Sequence, residues 1–369
     1  MAYALPKALQ AKVLNGLIST LKLHNTTIQD LLGVGINGAY SIPKRGYVFT
    51  YDIMDPTRNS ATARMPGQVS ATVQPQVVGQ VTGRYVRSAE KLPLLLAYLQ
   101  DLRVLGGNQN EIDAGGQRYI TEQFTRLMQR FANAREVECA AMLRGNLYLT
   151  PSGDDLYREF SSSGAAIDID FRIPAANKTQ LALGTGADTI SASWATAATD
   201  IVGDVLNIMR GFELQSGYTV GAFITSPEIA NFMVQNTSVR QAAGTSGPPF
   251  QVVELQGSND VYYTFKAFPW IRVYVVNEVL GVGTAQTTTR MVGANDLFVI
   301  PRPDGMWCQY WTGSEPVIEE FNRRQHEPQG LYSWTELRGD PARAELIANM
   351  IGMPILQVPK AVAYGTAVF

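Results

Sequence analysis

The spacing of hydrophobic positions changes several times along the chain, and each change predicts an element. Between Gln117 and Arg144, Ile120, Phe124, Leu127, Met128, Phe131, Ala134, Val137 and Ala141 recur at three- and four-residue steps, the spacing of one helical face. Gln117, Glu122, Arg126, Gln129, Arg130 and Glu136 fall on the opposite face, and Gly145-Asn146 supplies a stop. At 1.5 Å per residue this predicts roughly 40 Å of helix, long for a globular domain. The period then drops to two. Ile167-Asp-Ile-Asp-Phe-Arg-Ile173 alternates strictly, which predicts a half-buried strand with Asp168, Asp170 and Arg172 on one face.

Gly46 to Ile53 reads as another strand, followed by a polar stretch from Asp55 to Gln68 and an extended Val-, Thr- and Gln-rich stretch from Val69 to Val86. Outgoing strand, polar tip and returning strand predict a long hairpin. It holds too few large apolar residues to pack alone and should be stabilised by another chain. Residues 1–40 contain helically spaced Leu9, Val13, Leu14 and Leu17, but Gly16, Gly33, Gly35 and Gly38 punctuate them. This predicts a loosely structured arm without a core of its own.

A second lobe is expected from Leu181 onward. Its elements are a helix from Asp200 to Arg210 ended by Gly211, a buried strand from Thr219 to Thr225, and a helix opened by Ser226-Pro227-Glu228. Gly244 to Gly257 is expected as a loop, with strands at Trp270 to Val276 and Asp296 to Ile300. A largely apolar stretch from Ala344 to Val358 and a short tail from Ala361 to Phe369 close the chain.

Composition narrows the function. In 369 residues, 46% are hydrophobic and only 17% charged, against about 25% charged in ordinary soluble domains. Such low charge fits a subunit that buries much of its surface against neighbours, which needs less charge than a free monomer, and equally a mildly apolar globular protein; composition does not choose between them. The net charge of −2 comes without a long basic run, which argues against tight wrapping of nucleic acid. Cys139 and Cys308 are the only cysteines, so no disulfide framework is expected and a reducing cytoplasm fits. No apolar stretch has the length of a signal peptide or membrane span.

Motifs for chemistry are weak. Gly33-Val-Gly-Ile-Asn-Gly38 has dinucleotide-fingerprint spacing, but a helix-like stretch precedes it and Ser41-Ile-Pro43 breaks the helix that such a loop should open. His24 and His326 lack metal-ligand spacing. The acidic pairs Asp154-Asp155, Glu319-Glu320 and Asp168/Asp170 fit solvated faces or arginine partners better than catalysis. No catalytic, cofactor or metal site is expected. The aromatic set Trp270, Trp307, Tyr310, Trp311 and Trp334 reads either as interface anchors or as core.

Leu337-Arg-Gly-Asp-Pro-Ala-Arg343, followed by a long apolar strand and a short apolar tail, resembles the C-terminus of the lambda major head protein (capsid protein E) family. Upstream, Arg135-Glu-Val-Glu-Cys-Ala-Ala-Met-Leu-Arg-Gly145 resembles the end of that family's spine helix. The alternating strand and the 46–86 hairpin come in the same order. The resemblance covers roughly residues 44–369. It implies an α+β Hong Kong 97 phage-type capsid fold. The expected parts are an N-terminal arm (1–43), an extended loop (44–90), a peripheral domain (91–180) with spine helix 117–144, an axial domain (181–335), and C-terminal return strands (336–369).

The resemblance also implies a tailed-phage major capsid protein, assembled in the host cytoplasm. Hexamers and pentamers would build an icosahedral shell around double-stranded DNA, with scaffolding, portal and decoration proteins as partners. Contacts between subunits are expected at Arg58 and Arg64 of the hairpin tip, at Asp168, Asp170 and Arg172 as an ion-pair seam, and at Asp340 and Arg343. Some relatives crosslink through a lysine of the extended loop; residues 45–90 contain no lysine, so a non-covalent shell is expected. An encapsulin-like or gene-transfer shell of the same fold, and more remotely a soluble α/β enzyme, are the alternatives.

Overall fold

A computed structural model describes residues 9–54, 77–95, 114–178, 190, 192–244, 248–254, 261–315, 317–319, 324–326, 330–339 and 342–365. The chain opens with helices α1 (Ala11–Ile18) and α2 (Thr27–Leu31) and strand β1 (Ser41–Pro43). Strands β2 (Val48–Met54) and β3 (Val77–Arg84) pair with each other, and β4 (Val86–Leu95) comes next. Then come the long helix α3 (Ala114–Arg144) and strands β5 (Asn146–Ser152), β6 (Asp155–Glu159) and β7 (Ile167–Asp170). Helix α4 (Ile201–Ser216), strand β8 (Val220–Thr225), and helices α5 (Pro227–Gln235) and α6 (Thr237–Ala242) continue the chain. Six strands succeed them: β9 (Phe250–Glu254), β10 (Val261–Phe265), β11 (Arg272–Val275), β12 (Val279–Val282), β13 (Thr287–Arg290) and β14 (Leu297–Pro301). The last are β15 (Cys308–Thr312), β16 (Val317–Glu319), β17 (Arg324–His326), β18 (Leu331–Gly339), β19 (Ala342–Leu356) and β20 (Ala363–Gly365).

These elements sort into two compact units that interleave along the chain. Unit 1 comprises residues 1–49, 82–136 and 309–354. Its sheet runs β1-β15-β19-β18, with β4 also paired to β19. Leu94 and Leu346, on β4 and β19, pack against the predicted stripe of α3, where Ile120, Phe124, Met128 and Phe131 are buried. The N-terminal segment packs no core of its own but is held more firmly than its glycines suggest: Leu9, Leu14 and Ile18 are buried in the same core. Their helical spacing dictates one apolar face, and α3 and β19 supply what it packs against.

Unit 2 comprises residues 50–81, 137–308 and 355–369. Its sheet runs β20-β14-β8-β11-β10-β9, with β8 parallel to β11 and antiparallel to β14. Phe212, Phe223, Phe265, Phe268 and Val299 fill its core. Helix α4 passes through Gly211 and ends at Gly217, whose φ of 78° suits the left-handed cap. A mid-helix glycine costs only about 1 kcal/mol, less than the burial of Ile208 and Phe212 on either side returns. Ser226 caps α5 as expected, accepting a hydrogen bond from the Ile229 N–H, with Pro227 at the first helical position. The segment expected as a loop contains β9, paired antiparallel to β10 from Phe250↔Phe265 to Glu254↔Val261. Flanking glycines and prolines hide this short strand in the sequence.

Candidate functional site: assembly surfaces

The contacts between subunits expected from the sequence direct attention to surfaces able to meet other chains. Strand β7 pairs with β5 at the edge of the sheet β6-β5-β7. Asp168 and Asp170 share one face and are exposed. Asp168 accepts from the Asn146 amide at 3.1 Å, and Asp170 lies 3.8 Å from the Arg172 guanidinium and 4.0 Å from the Lys178 ammonium. Arg172 does not share their strand face. The strand ends at Asp170, and Arg172 has φ 61°, its N–H donating to Asp170 Oδ1 at 2.8 Å. Nor is the strand half-buried in the isolated chain, because Ile167 is 44% exposed.

In the hairpin, Phe49 and Tyr51 are buried while Val48 and Met54 are exposed. Gly83 lets the Phe49 ring lie close: a Cβ there would stand 2.6 Å from the ring, which would have to shift. Arg58 and Arg64 lie outside the described residues. The C-terminal motif spans the antiparallel pair β18–β19, with Arg338↔Arg343 and Gly339↔Ala342 in register. Asp340 and the side chain of Arg343 also lie outside the described residues.

Beyond Phe131 the helix α3 loses its predicted polar side. Arg135 to Leu143 are all buried, including three charged residues that the periodicity does not single out as interior. Glu136 accepts from the backbone N–H groups of Ile28 and Gln29. Glu138 pairs with Arg158 at 2.6 Å. Arg135 stacks its guanidinium 3.5 Å above the Tyr310 ring and donates to Ser41 Oγ at 2.9 Å. At the end of the helix, Arg144 pairs with Asp296 at 3.1 Å. Asp296 also accepts from the Gly293 N–H and the Tyr364 hydroxyl. Burial, reinforced by the Asp296 charge, pushes the Tyr364 phenol up to about 12.

The remaining chemical motifs resolve as architecture. Gly33 to Gly38 lie between helix α2 and strand β1, where Gly38 donates its N–H to the Gly35 carbonyl; this reverses the strand-then-helix order a dinucleotide loop needs. Trp307, Tyr310, Trp311 and Trp334 are buried, whereas Trp270 is 48% exposed, its indole N–H directed at the Met209 sulfur. Both cysteines are free and buried, and burial raises the Cys308 thiol far above its ordinary range, which keeps it unreactive. Among the described residues no group of three or more His, Cys, Asp or Glu is placed to hold a metal ion, and no helix is long and apolar enough to cross a membrane.

The model of the family described as phage major capsid protein E matches residues 31–367. The chain belongs to the phage major capsid protein E family. Among solved structures, this capsid protein is similar to a prophage protein of Escherichia coli CFT073 assigned as a capsid protein, at 12% identity and a TM-score of 0.51, covering 78% of this chain and 79% of that one. It is also similar to a phage-related protein from Bordetella bronchiseptica RB50, at 14% identity and a TM-score of 0.51, covering 98% and 97%. No curated protein matches. The capsid protein therefore has the mixed helix-and-sheet Hong Kong 97 phage-type fold expected from its C-terminal motif, long helix and hairpin.

Proposed function

We propose that this capsid protein assembles, in the host cytoplasm, as hexamers and pentamers of an icosahedral shell enclosing the double-stranded DNA of a tailed phage. Scaffolding, portal and decoration proteins are its partners, and it catalyses no reaction. The observation that carries this reading is the family match over residues 31–367. The five-part division into arm, extended loop, peripheral domain, axial domain and return strands belongs to the same proposal.

Within it, the 44–90 loop lies over an adjacent subunit, with Arg58 and Arg64 at its contact end. The pairing of β2 with β3 alone, among the described strands, supports that role, since a two-stranded ribbon is marginal without further cover. The acidic face of Asp168 and Asp170, with Arg172, Asp340 and Arg343, supplies polar contacts to neighbours. Many weak contacts repeated by symmetry sum to a stable shell. With no lysine in residues 45–90, that shell is held non-covalently and reinforced by a decoration protein.

Negative-stain microscopy of the chain, alone and co-expressed with its neighbouring genes, tests the proposal. Closed shells or hexamer-sized rings are expected, and a clean monomer or dimer in both preparations overturns it. The contents of the shells separate a genome-bearing head from a compartment holding a cargo peptide or short host DNA. Deleting Asp55 to Gln68 should leave a folded subunit that forms no stable shells.

A further inference from the structure

Arg135 is 2% exposed, yet no carboxylate pairs with it among the described residues. Its guanidinium rests on the Tyr310 ring and reaches Ser41, while its Nε has no hydrogen-bond partner. The adjacent acid, Glu136, is committed elsewhere, with both carboxylate oxygens on the N–H groups of Ile28 and Gln29. A buried cation without a counter-charge is costly, because low-dielectric surroundings do not make good its lost hydration.

Arg135 lines a cavity of about 480 Å³ within unit 1, within the size range of small-ligand sites. Ser41 and Asn37 add neutral polar groups to its wall, and Ile18, Ile36 and Leu331 add apolar surface. We propose that this cavity binds a carboxylate, its charge on the Arg135 guanidinium and a short apolar body against the isoleucines and Leu331. One guanidinium balances one negative charge, and its planar donor edge matches a carboxylate. A phosphate dianion would leave a buried charge unmatched, and the apolar walls favour a group carrying carbon. The carboxylate comes either from a free small acid or from an acidic side chain of a second copy of this chain. The site itself does not require the shell; only the choice of source rests on it.

The test begins with dispersed full-length subunits at neutral pH, melted in increasing propionate, in propionamide, and in chloride at matched ionic strength. Propionate should raise Tm as a saturable function of concentration, with little response to the isosteric amide or to chloride. The Arg135→Met variant should lose the response. If that variant does not fold, the difference between propionate and propionamide on the wild type still decides, together with the line broadening of ¹³C-labelled propionate. Equal behaviour of propionate, propionamide and chloride overturns the proposal. Assembled shells then identify the source. Subunits that respond while shells do not place a neighbour's side chain in the cavity, whereas a response from both assigns a free acid. Failure to obtain shells would count against the assembly reading and leave the dispersed-subunit result standing.

Discussion

The Glu136 carboxylate accepts the backbone N–H of Ile28 at 2.7 Å, joining the long helix to a short helix 108 residues earlier in the chain. With the Gln29 N–H held by the other oxygen at 3.0 Å, it supplies two of the acceptors that the start of α2 lacks. Replacing Glu136 with Ala leaves two buried donors unsatisfied, at a cost of about 3 kcal/mol. Glu136→Ala should therefore lower the urea midpoint and expose the first 40 residues to limited proteolysis. An unchanged midpoint and cleavage pattern would contradict this role.

Asp296 joins three segments through Arg144, Gly293 and Tyr364. Its truncation strands the Arg144 charge in a site where both side chains are mostly buried. Asp296→Ala should cost about 3–5 kcal/mol, read by calorimetry as a large drop in Tm. The double variant Arg144→Met/Asp296→Ala should recover part of that loss, because it removes the orphaned cation.

Glu228, in the first turn of α5, pairs with Arg290 at 2.6 Å. The hydrogen bond from Arg290 is the main cause that holds its carboxyl below the usual range. A depressed folded pKa stabilises the native state above the ordinary carboxylate pKa of about 4.3, and that stability is lost as pH falls through the lowered value. Glu228→Gln should thus be slightly less stable than wild type at pH 7, and the difference should vanish in acid. Both groups are more than a third exposed, so solvent screening keeps the effect below about 1 kcal/mol. Denaturant titrations at the two pH values check both parts.

Asp168 and Asp170 make only exposed contacts within the chain. The double change Asp168→Asn/Asp170→Asn should shift subunit stability by no more than about 0.5 kcal/mol. If they face a neighbouring subunit, the same change should reduce shell yield and flatten its dependence on salt. Sedimentation of assembly reactions across a salt series measures this; unaltered yield at every salt concentration would remove these residues from the contact set.

Elements governed by local periodicity are legible in the sequence. The stripe from Ile120 to Ala141 and the Ser226-Pro227 helix start each carry their signal within a few residues, and both stand where expected. The N-terminal segment shows in its sequence only that it lacks a core of its own; the partners of Leu14 and Ile18 on α3 and β19 lie more than a hundred residues away, beyond the reach of local spacing. Glu136 falls on the polar side of a helical wheel, and only the position of Ile28 shows why a carboxylate is buried there. Arg172 continues the alternation in the sequence, but a single left-handed residue takes it off the strand, and no spacing rule anticipates that. The family emerges from the order of hairpin, helix, strand and terminal motif, which survives such local errors. The Arg135 cavity leaves no mark in the sequence, since Asn37, Ser41, Arg135 and Leu331 converge on it only through the fold.

The interleaving of the two units sets a timetable for the nascent chain. The core that buries Leu9, Leu14 and Phe124 also needs Leu346 and Met350, and β19 links β4, β15 and β18 in one sheet. Unit 1 therefore cannot close until residue 354 has left the ribosome, in contrast to proteins whose N-terminal domains fold as they emerge. A truncated product that stops before β19 has no completed unit 1 to offer a growing particle.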